Sequence, residues 1–132
     1  MIDKQLKYKK IWIILGLTMI AFVVFQTLTS SPVGSGLKIS DKLMHIVGYF
    51  GMMGWFVQIF NKRMQQLWLA AGFIILGVVL EFLQGWGGIR HYELADMLAN
   101  ATGVILAWIF AFTRFSVILL WIESGLSRRK QL

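Results

Sequence analysis

No cysteine occurs among the 132 residues, which excludes a disulfide-stapled mini-protein and removes thiol chemistry from any site. Charge is scarce as well, at 14% of residues against about 25% in soluble proteins. The chain carries no nucleophile elbow, no phosphate-binding P-loop, no dinucleotide fingerprint and no HExxH pair. What replaces these is apolar: 58% of the residues are hydrophobic, above the roughly 45–50% of soluble domains. So short a soluble chain has too little interior to hide that much apolar surface. An ordinary soluble enzyme and a disordered tail are both excluded. Neither an internal repeat nor a low-complexity segment is present.

The apolar residues gather into four runs near the length of a membrane-crossing helix, about 17–25 residues. They are 11–28, 43–60, 67–83 and 95–112. The first could serve as a signal peptide, but its core is long and no A-x-A-like cleavage site follows. Ser30, Ser31, Pro32, Gly34 and Gly36 form the first turn-rich loop. A shorter apolar piece, Phe115 to Ile122, reads as an interfacial helix with Trp121 at headgroup depth. The expectation is an all-α, polytopic bundle of four transmembrane helices plus a short C-terminal interfacial helix, in one domain over residues 1–132.

The formal charge of +7 would suggest nucleic acid if the basic residues formed a patch. With four crossings they fall on one side instead. Lys4, Lys7, Lys9, Lys10, Lys62, Arg63, Arg114, Arg128, Arg129 and Lys130 share that side, against Lys38, Lys42 and Arg90 opposite. Ten of thirteen is a strong positive-inside bias, which puts both termini in the cytoplasm. Anionic inner-leaflet lipid accounts for the basic excess, and no nucleic-acid partner is expected.

This topology gathers the polar chemistry at the outer face. Asp41 and His45 are i,i+4 neighbours, with Gly48 and Tyr49 continuing their face. Glu81 and Gln84 close helix 3, and Asp96 and Asn100 open helix 4. Carboxylates facing lipid are costly, so the three stripes should face one another or water. A ladder of Ala95, Ala99, Gly103, Ala107 and Ala111, with Gly48, Gly51 and Gly54 on helix 2, suits close helix packing or self-association. Gly85, Gly87 and Gly88 beside Arg90 and His91 could bind a phosphate or carboxylate, or merely anchor the turn. Asp41 and Asp96 suit helix N-caps. His45 suits a bond to Asp41 or Asn100. Glu81 should be protonated or paired with Lys42 or Arg90, because the helix dipole opposes its charge. Asp41, His45, Glu81 and Asp96 could in principle hold a metal. Their spacing lacks a ligand motif, so neither metal nor other cofactor is expected.

Asp41-Lys42-Leu43-Met44-His45 followed by Tyr49 resembles the D-K-x-x-H-x-x-x-Y signature of VanZ-like membrane proteins. Glu81-x-x-Gln84, then Arg90, Glu93, Asp96, Asn100 and Gly103, is similar to their longer signature. The likeness spans about residues 38–110; Glu93 stands where Asp is usual, and Ala107 where a second glycine is common. It implies a bacterial plasma-membrane protein of the cell envelope, in a family named for a member associated with teicoplanin resistance. No settled activity comes with it. It marks Asp41, His45, Tyr49, Glu81, Gln84, Arg90, Asp96 and Asn100 as the positions of interest.

Three functions fit these residues. In the first, an outward polar cleft binds an anionic lipid or lipid-linked envelope precursor, with Lys42 and Arg90 on phosphate. The second is a structural or scaffolding role, in which the polar cluster locks the helices. The third is an enzyme acting on a lipid-linked phosphate through the Asp41–His45 pair.

Overall fold

The computed structural model describes residues 6–29, 41–88, 93–113 and 117–130, without the side chains of Asp41 and residues 127–130. Five helices and no strand occur in that set: α1 (Lys9–Leu28), α2 (Asp41–Ile59), α3 (Arg63–Trp86), α4 (Leu94–Phe110) and α5 (Ile118–Lys130). The fold is all-α, as the apolar periodicity indicates. Two helices, α1 and α3, are long and apolar enough to cross a membrane. α4 is a shorter apolar helix, and α2 opens on Asp41, Lys42 and His45.

Helix bounds depart from the apolar runs in an instructive way. α3 runs from 63 to 86 instead of 67 to 83, because Met64, Gln65 and Gln66 form helix readily. Its stop signal is the glycine pair that follows. Gly87 N–H donates to Leu83 O at 2.9 Å, and Gly88 adopts the left-handed φ of 68°, which ends helices at low steric cost in glycine. α5 begins three residues later than Phe115 and runs to Lys130, past Ile122. Hydropathy marks where a chain meets an apolar medium, whereas backbone hydrogen bonds decide where a helix ends.

α2 is the central helix, touching all four others and α4 most extensively. It supplies Tyr49, Met52, Met53, Phe56 and Val57 to the core, where Phe73 of α3, Val104 and Ala107 of α4 and Leu119 of α5 meet them. The tightest joint is Gly103 of α4. A Cβ there would stand 2.3 Å from Ile46 O and 2.9 Å from Phe50 N of α2. The middle of the expected ladder packs as foreseen, with Ala99, Gly103 and Ala107 buried, whereas Ala95 is exposed and Ala111 half-buried at its ends. It has no counterpart at the two α2 glycines tested this way: Gly48 faces nothing within 4 Å, and Gly51 only the tip of Met19. On α2 the partner surface is backbone at Ile46 and Phe50. α1 packs against α2 through Gly16, whose missing Cβ makes room for Phe56 and Trp55. Trp12 and Trp55 meet edge to face at 5.7 Å.

A second fixed point lies where α2 ends. Glu123 of α5, buried, accepts hydrogen bonds from Lys7 N–H (2.7 Å), Tyr8 N–H (2.8 Å) and the Trp12 indole (2.6 Å). It thereby satisfies donors that the start of α1 would otherwise leave open, and it puts an anion at that helix's positive end. Gln58 bridges the same region, accepting from Leu119 N–H at 2.8 Å while donating to Gly54 O at 3.0 Å. The start of α1 and the first half of α5 thus share one end of the molecule. Outside, large apolar side chains dominate: Ile14, Leu17, Phe22 and Phe25 on α1, Trp68, Ile75 and Phe82 on α3, Leu98, Ile105 and Ile109 on α4.

Gly103→Ala drives a methyl into α2 backbone and should cost about 1–3 kcal/mol, the usual range for overpacking. Gly48→Ala should be tolerated. Thermal unfolding of the two variants in detergent checks the pair, and equal melting temperatures would contradict the α2–α4 contact.

Candidate functional site

α2 and α4 run parallel with an offset that holds along their contact: Lys42 meets Asp96, His45 meets Asn100, and Ile46 and Phe50 meet Gly103. α3 runs antiparallel beside them, so that its last two turns stand next to their first two. Lys42, His45, Glu81, Gln84, Asp96 and Asn100 collect at this end, opposite the Glu123 clamp. The stripes face one another, as their cost in an apolar environment demands.

Lys42 donates to both Asp96 and Glu93. The Asp96 bond, followed by the Glu93 bond, holds its ammonium well above the ordinary lysine range. Lys42 precedes the apolar part of α2, and its side chain keeps 39% of its exposure. It forms the rim of the site. Behind it, His45 Nδ1 lies 2.8 Å from Asn100 Oδ1, and Nε2 lies 3.8 Å from Asp96 Oδ2. The imidazole is thus held between an amide and a carboxylate.

Glu81 is 1% exposed. Of its two expected partners, Lys42 is engaged elsewhere and Arg90 lies outside the described residues. Its observed partner is the backbone N–H of Glu93, at 2.9 Å. A backbone donor at the N-cap of α4 does the work foreseen for a cation. Gln84, equally buried, donates to Thr27 O at 2.6 Å, which pins the end of α1 to the end of α3. Tyr49 lies deeper, its ring beside Gly77 and Asn100. Tyr49 Oη and Gln84 Oε1 are buried without a hydrogen-bond partner.

Other expectations divide as follows. Asp96 sits in the first turn of α4, where the dipole favours an acid. Its carboxylate crosses to α2 instead of capping its own helix, because Lys42 stands within reach. Of the two bonds foreseen for His45, the one to Asn100 forms. The Asp41 side chain, Arg90, His91 and the anion-binding part of the glycine turn lie outside the described residues. Among the described residues no three His, Asp or Glu side chains converge as metal ligands.

The polar residues also form a buried network more than an open cleft. Lys42 and Glu93 stand at its mouth, while Glu81, Gln84, Asp96 and Asn100 lie inside. The sequence pattern points to neither partner of Lys42, Asp96 or Glu93, and marks neither Glu123 nor Gln58. A lone acid among the apolar and basic residues of α5 was the available signal for Glu123.

No family model, curated protein or solved structure matches the chain.

Lys42→Met strands the buried Asp96 carboxylate. It should destabilise by about 1–3 kcal/mol, less than the roughly 3–5 kcal/mol of a fully buried pair because Lys42 is partly solvated. Asp96→Asn in the Lys42→Met background should recover part of that loss. A double-mutant cycle of melting temperatures measures the coupling, and strict additivity would contradict it.

Proposed function

We propose that this chain is a VanZ-like, four-crossing membrane protein whose network at the outer ends of α2, α3 and α4 recognises the head of an envelope lipid or lipid-linked precursor. The observation that carries this reading is the inverted distribution of side chains. Large apolar residues cover the outside of α1, α3 and α4, whereas Glu81, Gln84, Asp96 and Asn100 are buried. In water such a surface would aggregate; in lipid it is the stable arrangement. α1 buries almost none of its apolar length, which argues against a soluble core helix. α2 and α4 cross beside the two longer helices, with their polar first turns at headgroup depth. The Glu123 clamp keeps the N-terminus and α5 at one end, which suits two cytoplasmic termini and the bacterial plasma membrane that the VanZ-like pattern implies.

In this reading Lys42 contacts the phosphate of the lipid head, and Arg90 is the second cation that the sequence offers for it. Glu93 and Asp96 steer Lys42, and His45, Glu81 and Asn100 shape the interior. A specific observation favours a second reading, a helix lock: among the described residues Lys42 pairs with two carboxylates of the same chain, Glu93 and Asp96. In that case the network holds α2 to α4 and the function is scaffolding. The link to teicoplanin-type resistance belongs to the first reading.

The absence of native cysteine makes topology directly testable. Ser35→Cys should react with an impermeant maleimide on intact cells, and Ser127→Cys only after permeabilisation. The opposite pattern would overturn the orientation. Arg90→Ala and Glu81→Ala should each reduce retention of anionic lipid by the purified protein about tenfold, the scale of one charge-assisted contact, and change teicoplanin susceptibility. Unchanged lipid retention and susceptibility at normal expression would favour the lock.

A further inference from the structure

Among the described residues, the interior of the proposed site gathers hydrogen-bond acceptors: the carboxylates of Glu81 and Asp96 and the amide oxygens of Gln84 and Asn100. Glu81 receives one backbone N–H. Asp96 shares Lys42 with Glu93, and its second oxygen stands 3.8 Å from His45 Nε2. The Asn100 carbonyl oxygen already faces His45 Nδ1. Gln84 spends its amide N–H on Thr27 O, which leaves Oε1 buried and unpartnered. Tyr49 Oη, which can donate as well as accept, is likewise buried and unpartnered.

These groups adjoin one another. A Cβ on Gly77 would touch both the Asn100 amide, at 3.0 Å, and the Tyr49 ring, at 3.4 Å. Glu81 lies one helical turn further along α3, within electrostatic reach of Tyr49, His45 and Asp96. Gln84 follows on the next turn. A bare phosphate driven into this space would bring its oxygens against carboxylates. A donor group would instead find an acceptor on several sides, including the Gln84 oxygen that no protein group satisfies.

We infer that the inner part of the site takes a hydrogen-bond donor, an ammonium or hydroxyl, carried on the phosphate of the lipid head, with Gln84 Oε1, Tyr49 Oη and Glu81 receiving it. The inference rests on the lipid-head reading and deepens it. Phosphate stays at the rim, and the substituent beyond it points inward. Selectivity among lipid heads then comes from that substituent, since phosphate is common to all of them. Bulk phospholipids and lipid-linked precursors share this chemistry.

Native mass spectrometry of the full chain, released from detergent with lipids of identical acyl chains, tests it. Phosphatidic acid presents phosphate alone, phosphatidylglycerol adds hydroxyls, and phosphatidylethanolamine adds an ammonium. At least one donor-bearing lipid should be retained about tenfold better than phosphatidic acid, the scale of one or two hydrogen bonds. Tyr49→Phe and Gln84→Met should shrink that preference while leaving retention of phosphatidic acid unchanged. Polyprenyl phosphate, compared with and without an attached sugar, forms a parallel arm; a larger preference there assigns the site to a lipid-linked precursor. Equal retention of all lipids overturns the donor subsite and leaves the lipid-head reading standing, as does a preference that survives both substitutions. Retention of none overturns both.

Discussion

The approach of Gly103 to the backbone of α2 sets the geometry of the polar pairs that join α2 to α4. With no side chain between them, α4 and α2 come close enough for short interhelical bonds, and the parallel register carries that closeness along both helices. Asn100 then reaches His45, and Asp96 reaches Lys42. A bulkier residue at 103 would separate the helices and pull these pairs apart. Buried polar groups are costly when unsatisfied, so the glycine protects the network as well as the packing.

The bundle is pinned at both ends by side chains that satisfy backbone groups. At one end Glu123 receives the first N–H groups beside α1, and Gln58 holds α5. At the other, Glu81 receives the first N–H beside α4, and Gln84 holds the end of α1. Helix ends leave donors and acceptors open, and in an apolar environment no water satisfies them cheaply. Four of the buried polar residues of this chain therefore act on helix termini. The Lys42–Asp96 and His45–Asn100 pairs differ in kind, since they join side chain to side chain across the α2–α4 seam.

That distinction bears on function. Gln84 spends its N–H on the end of α1, yet its Oε1, like Tyr49 Oη, is buried without a partner. Such oxygens are uncommon in stable interiors, and both lie where three helices converge. On the lipid-head proposal, the acceptors inside and the Lys42 ammonium at the mouth suit a head that carries a donor beyond its phosphate.

Much of this was legible in the chain itself. Apolar runs marked four of the five helices, because burial in any apolar medium requires the same residues. The i,i+4 pairs Asp41–His45 and Asp96–Asn100 announced polar faces, and the small residues of α4 announced close packing, since both follow from helical periodicity alone. Partners were another matter. Glu81 could be read as needing a counter-charge, but only the fold brings the N–H of Glu93 to it. Glu123 gave no sign of closing α1, because its donors lie more than a hundred residues away. The sequence by itself determined which residues turn inward and which face an apolar surround. Tertiary structure decided who meets whom, because hydrogen bonds act over about 3 Å and only packing sets distances that small.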